Sequence, residues 1–209
     1  MNRPLLKNKL IKGFRKYVLI FLIIFPTISL NAQNANIRIL RKINLDRNRN
    51  LDNTYEFLSA TATPVSIGIP IALIGTGLIR KDKEQTITGI TIGSGILLAT
   101  VVSTKLKYSI KRTRPFVTYP DIEKATDAGS PSFPSGHSSD AFSTATAVSL
   151  AYPKWYVIVP AFTWASAVGY SRMHLGVHYP SDVLVGAITG SLSAYLCYKG
   201  QKWINNRKK

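Results

Sequence analysis

The chain of 209 residues holds three histidines, and all three stand among hydroxyls, cations or a carboxylate in patterns that phosphate chemistry could use. In the segment Ser171 to Asp182, Pro180 and Ser181 mark the start of a helix, with Asp182 in its first turn. Asp182 follows His178 by four residues, so its carboxylate can meet one imidazole nitrogen. That contact fixes the tautomer and leaves the other nitrogen with a lone pair for attack. His174, His178 and Asp182 would also share a face as metal ligands, but only on one continuous helix. Gly176 and Pro180 argue against such a helix, so no metal is assigned.

A second segment runs from Ser132 to Asp140, with Ser135-Gly136-His137 at its centre. Ser135 reads as the N-cap of an apolar helical run. A helix start offers free N–H groups and a partial positive charge, which suits a phosphate. Gly136 leaves no side chain to keep an anion off that backbone, and His137 stands beside it. Taken alone, a capped helix with an incidental histidine is an equal reading, and Asp140 most simply complements the helix dipole. The third segment is Lys107 to Pro115. Lys107 and Arg114 are seven apart and are expected on one helix face, with Pro115 turning the guanidinium off the axis. By itself this segment is explained more simply by a juxtamembrane loop that binds lipid headgroups.

Positioning these segments falls to the apolar stretches between them. Residues 1–16 carry six Lys and Arg and no acid, and Tyr17 to Leu30 is almost unbroken apolar sequence. Residues 1–32 therefore read as a signal peptide or first membrane anchor. Residues 33–56 form a polar segment in which Ile37, Leu40, Ile43 and Leu45 recur at near-helical spacing, as in a helix lying on the bilayer. Asp46, Asn48, Asn50 and Asp52 do not make a calcium loop, because Leu51 and Phe57 stand where that loop needs Gly and Glu. They are expected in a polar loop or helix cap. Phe57–Ile79 and Thr86–Thr104 carry no charge and are rich in Gly, Ser, Thr and Ala, which let helices approach closely in lipid. His137–Tyr152, Trp155–Tyr170 and Asp182–Tyr198 complete the set. The expected fold is all-α: a transmembrane bundle of about five to six helices, with residues 57–199 as its membrane domain and 200–209 as a basic cytoplasmic tail. With the amino terminus inside, the inner pieces hold 15 Lys and Arg and the outer pieces 12, so the segments with chemistry face the periplasm of a bacterial inner membrane.

The net charge of +17 calls for anionic partners. Nucleic acid is set aside because the cations flank apolar spans, which leaves membrane lipids and phosphorylated substrates. The single cysteine, Cys197, excludes a disulfide framework or a multi-cysteine metal site.

Together the three segments resemble the type 2 phosphatidic acid phosphatase superfamily, whose pattern is K-x6-R-P, then P-S-G-H, then S-R-x5-H-x3-D. Lys107 to Pro115, Pro134 to His137 and Ser171 to Asp182 match it without a departure. The resemblance implies a metal-independent phosphatase, without cofactor, acting on a lipid phosphate or pyrophosphate. It implies His178 as the nucleophile that forms a phosphohistidine, Asp182 as its orienting partner and His137 as the general acid. Lys107, Arg114, Ser135, Gly136 and Arg172 are implied as phosphate-binding residues. A soluble acid phosphatase of the same superfamily, or a membrane protein that binds anionic lipid without catalysis, are the alternatives. The uncharged spans favour the membrane branch.

Overall fold

The computed structural model describes residues 35–207, so the expected signal or anchor at 1–32 lies outside the described residues. The chain divides into two compact units, 1–39 and 40–209. Of the first, residues 35–39 are described and are helical. The second holds all three segments of interest.

Every regular element among the described residues is helical. Helix α1 covers residues 35–45, and a 3₁₀ turn at Arg49–Leu51 leads into α2 (Asp52–Ala60). The longer helices are α3 (Ala62–Ile79), α4 (Lys83–Ile110), α6 (Gly136–Ala151), α7 (Trp155–His174) and α8 (Pro180–Arg207). A single turn, α5 (Pro115–Thr118), interrupts the loop between α4 and α6. The expected span 57–79 is thus divided between α2 and α3 at Thr61, which itself keeps helical dihedrals, and its helical structure starts earlier, in the 3₁₀ turn. Arg49–Ile79 and Lys83–Thr118 are both long and apolar enough to cross a bilayer.

Apolar side chains line the outside of the bundle as well as its core. On α8, Leu184, Ile188, Leu192 and Leu196 form an outward stripe, each about half exposed or more. The inward face of the same helix is Gly186, Gly190, Ser193 and Ala194. Water would penalise that arrangement and lipid does not, since lipid tails are as apolar as leucine and helices then associate through close packing and polar contacts. Helix α6 sits at the centre, against α3, α4, α7 and α8. Its buried face is Ser138, Ser139, Ala141, Ser143, Thr144, Ala145 and Ala147. A Cβ on Gly190 would collide with the Ser139 carbonyl, so that glycine sets how closely α8 approaches α6. Hydrogen bonds cross the same seams, from Ser103 to Ser139 (2.8 Å), Thr144 to Ser66 (2.8 Å) and Thr146 to Ser191 (3.0 Å).

Three expectations change. Helix α4 runs on to Ile110, so Lys107 is helical; Lys111 then adopts a left-handed conformation and ends the helix, so Lys107 and Arg114 do not share a helix face. The tail expected at 200–209 is, as far as Arg207, the continuation of α8. Asp140 lies beyond the first turn of α6 and accepts a hydrogen bond from Thr100 of α4 (2.9 Å) instead of serving the helix dipole. Of the calcium-like tetrad, expected in a polar loop or helix cap, Asn48 caps the 3₁₀ turn by accepting from the Asn50 amide (3.0 Å), and Asp52 pairs with Arg47 (3.0 Å).

Candidate active site

Because α4, α6, α7 and α8 alternate in direction, the end of α4, the start of α6, the end of α7 and the start of α8 meet at one end of the bundle. All three sequence segments lie there. Arg114 precedes Pro115 and is extended (φ −72°, ψ 153°), as a residue before proline must be. Its buried guanidinium donates to the carbonyls of Ser130 (2.7 Å) and Val177 (2.8 Å), and its Nη1 lies 3.5 Å from His178 Nε2. Lys107 reaches the same region from the last turn of α4 and donates to the Pro131 (2.7 Å) and Pro134 (3.1 Å) carbonyls. An ammonium has three protons, so one remains for a further acceptor.

Ser135 caps α6. Its hydroxyl accepts from the Ser138 amide (3.3 Å) and hydroxyl (2.9 Å), while its own amide donates to the Asp182 carbonyl (3.0 Å). Accepting twice leaves the Ser135 proton to be donated. A Cβ built on Gly136 would meet nothing within 4 Å, so the backbone there faces open space. His137 follows, within electrostatic reach of Arg172, Lys107 and Arg114. Arg172, buried on α7, donates to the Ser59 hydroxyl, and its Nε has no hydrogen-bond partner.

Helix α7 ends at His174 and the chain turns at Gly176 (φ +71°), a conformation that favours glycine. The turn carries His178 beneath Arg114. Its Nδ1 lies 3.5 Å from Asp182 Oδ2. Burial pushes the His178 imidazole well below its ordinary value, to about 3; Asp182 opposes the shift, and Arg114 adds to it. The ring is therefore neutral, with a lone pair, throughout the physiological range. Asp182 is fully buried and accepts from Arg112 (2.7 Å), Ser132 (2.5 Å) and the Tyr179 amide (3.0 Å). Its carboxylate is thus held ready as an anion beside the imidazole.

Sequence reasoning missed several of these partners. Arg112 sits inside the segment Lys107 to Pro115 but turns to Asp182, its guanidinium over the Tyr179 ring (3.9 Å). The only hint was a third cation two residues before Arg114. His174, weighed as a metal ligand, is instead engaged by Asp52 (2.8 Å) and stacks on Tyr55 (ring centroids 4.0 Å apart).

The family profile that matches this chain is that of the PAP2 superfamily, over residues 88–206. The chain belongs to that superfamily. Its similarity to the undecaprenyl-diphosphatase of Sulfolobus acidocaldarius is 33% identity over 87% of this chain and 90% of that one. Among solved PAP2-like folds, the Aquifex aeolicus LpxE crystal structure superposes with a TM-score of 0.68 and 27% identity, covering 79% of this chain and 95% of LpxE. The transmembrane PAP2-type phosphatidylglycerolphosphate phosphatase of Bacillus subtilis gives 0.67 and 28%, covering 90% and 94%. The PAP2 match begins within α4, so the helices that carry the three segments lie inside it, whereas residues 40–87 do not. With that relationship, the two candidate spans and the outward apolar stripe on α8, the protein is a transmembrane helical bundle, and the soluble reading is set aside.

Proposed function

We propose that this PAP2 protein is a membrane phosphatase that cleaves a lipid phosphate or lipid pyrophosphate through a phosphohistidine at His178. The observation that carries the reading is the contact between Arg114 and His178 Nε2 at 3.5 Å, on the ring nitrogen that Asp182 does not face. A phosphoryl group entering there meets a guanidinium and a lone pair together. Phosphoryl transfer needs mainly positioning and cancellation of charge on the equatorial oxygens. Lys107, Arg114, Arg172, the Ser135 hydroxyl and the Gly136 amide supply both. The unpartnered Nε of Arg172 supports its share.

In the first step Nε2 attacks phosphorus and the bond to the leaving oxygen breaks. His137 gives that oxygen its proton, and the His178 ring becomes a phospho-imidazolium whose positive charge faces Asp182. In the second step His137 takes a proton from water, the hydroxide attacks phosphorus, the P–N bond breaks and inorganic phosphate leaves with His178 neutral again. The relatives named for undecaprenyl diphosphate and phosphatidylglycerol phosphate share one chemistry, a terminal phosphoryl group on a lipid.

The bundle is proposed to span the bacterial inner membrane several times with this site facing the periplasm, after export by residues 1–32. The opposite end carries Arg80, Lys81, Lys83, Lys154, Lys199, Lys202 and Arg207, together with exposed Trp155, Tyr156 and Trp203. Basic residues mark the cytoplasmic side, and interfacial aromatics anchor helix ends.

The test is phosphate release by the purified protein from polyprenyl pyrophosphate, phosphatidylglycerol phosphate, phosphatidic acid and a lipid A phosphate. An alkaline denaturing quench should trap labelled phosphoprotein, stable in base and lost in acid, that His178→Ala does not form. Release at the wild-type rate by His178→Ala sinks the assignment.

A further inference from the structure

Residues 33–56 were expected to rest on the bilayer, yet polar side chains of residues 41–56 are spent on the loops that flank His178. Asn44 is fully buried. Its Nδ2 donates to the carbonyls of Glu123 (3.1 Å) and His174 (2.9 Å), and its Oδ1 accepts from the Glu123 amide (2.9 Å). Both amide protons and the amide oxygen are therefore used, and they join two backbone segments remote in sequence. One is the loop between Pro115 and Ser132. The other is the turn that carries His178.

Neighbouring contacts point the same way. Asp52 holds His174 Nε2 (2.8 Å) and is itself held by Arg47 (3.0 Å), which also pairs with Glu123 (2.9 Å). The Ala125 amide donates to the Leu175 carbonyl (3.1 Å). A Cβ on Gly176 would collide with the Glu123 carbonyl, so loop and turn are in direct contact. At its far end the turn is tied to Arg114 through Val177 and to the Arg172 carbonyl through the His178 amide (3.2 Å). Arg114 thus holds the turn at Val177, and Asn44 holds it at His174.

We infer that Asn44 is a positioning residue for phosphoryl transfer: by stapling the turn 174–178 to the loop at Glu123, it sets where His178 Nε2 lies relative to Arg114. The inference rests on the proposed role of His178. Asn44 lies outside the matched family region, and it touches no reacting atom.

Asn44→Asp is the decisive variant, because it keeps the volume but replaces a donor facing two carbonyls by an acceptor. Misplacing a reacting group by about 1 Å costs on the order of 10²-fold in rate. Asn44→Asp and Asn44→Ala should therefore lower kcat by about ten- to hundredfold, counted per site able to form phosphohistidine, with KM changed less than about threefold. Asp52→Asn, which retains an acceptor for His174, should stay within about threefold of wild type, and Asp52→Ala should not. Hydrogen exchange at 119–126 and 172–178, read without any substrate, should quicken in Asn44→Asp. A per-site kcat for Asn44→Asp equal to wild type, a loss confined to KM, or unchanged exchange would each overturn the staple. A wild-type protein that hydrolyses no lipid phosphate, yet shows the quickened exchange in Asn44→Asp, would overturn the catalytic reading and leave only a structural bond.

Discussion

Replacing Asp182 by asparagine removes one negative charge and almost no volume. In the resting site that charge faces a neutral imidazole, so its electrostatic effect falls mainly on the step in which His178 becomes a phospho-imidazolium. Two unit charges 3.5 Å apart attract by about 5 kcal/mol at an effective dielectric of about 20. Only part of the positive charge has developed at the transition state, and Arg112, 2.7 Å from Asp182, already takes part of the field. A loss of about 4 kcal/mol is reasonable, which is on the order of 10³-fold in the rate of phosphorylation. The asparagine must also point its NH₂ either at Arg112 or at Ser132 and the Tyr179 amide, all of which are donors, so the ring loses orientation as well. Arg112 keeps its place over Tyr179 and is partly exposed, so the variant is expected to fold. The assay is rapid-quench measurement of phosphoprotein formation from a labelled lipid phosphate in a single turnover, with thermal unfolding as the control. A fall of less than about tenfold in that step, in a protein that unfolds at the wild-type temperature, refutes the electrostatic argument.

The remaining predictions are briefer. His137→Ala should slow the first step by about 10²–10⁴-fold on a lipid alkyl phosphate and far less on p-nitrophenyl phosphate, whose leaving oxygen needs no proton; equal losses in single-turnover rates would remove His137 as the acid. His178 should give the ¹⁵N resonances of a neutral imidazole from pH 8 down to pH 5, since its pKa is depressed to about 3 and protonation takes the lone pair only below that; a midpoint between pH 5 and 7 in the substrate-free protein contradicts it. Hydrolysis should survive EDTA, because Lys107, Arg114 and Arg172 supply the charge a metal would bring, and should be inhibited by vanadate; loss in EDTA with rescue by Mg²⁺ counts against the mechanism. In a Cys197→Ser background, Thr118→Cys but not Asn206→Cys should react with an impermeant thiol reagent in intact spheroplasts, and the reverse pattern inverts the proposed orientation.

Much of the site was legible in the sequence because its parts are local. The helix start at Ser135, the extended Arg114 before Pro115 and the break in the helix around Gly176 are each set within a few residues by backbone chemistry and are found as expected, and the four-residue spacing brings His178 Nδ1 to 3.5 Å from Asp182 without a hydrogen bond. The spans were legible for a similar reason: a bilayer requires long apolar stretches, and the described residues show two of them plainly. Local reasoning ran out wherever a side chain had a choice of distant partners. Arg112 and Arg114 are the same residue type two positions apart, yet one turns to Asp182 and the other to His178 and Val177. Residues 33–56 have the periodicity of an interfacial helix, but Asn44 closes on backbone 79 and 130 positions away. Asp140 could serve its own helix and instead meets Thr100. Nothing in spacing separates such alternatives, since the energy that decides them is the desolvation of a buried polar group unless a specific partner comes within hydrogen-bond distance. The residue types and order by themselves determined which groups could handle a phosphate. How they face one another, and which residues hold them there, was decided by the close packing of α4, α6, α7 and α8, because only that packing brings the ends of separate helices within a few ångströms of each other.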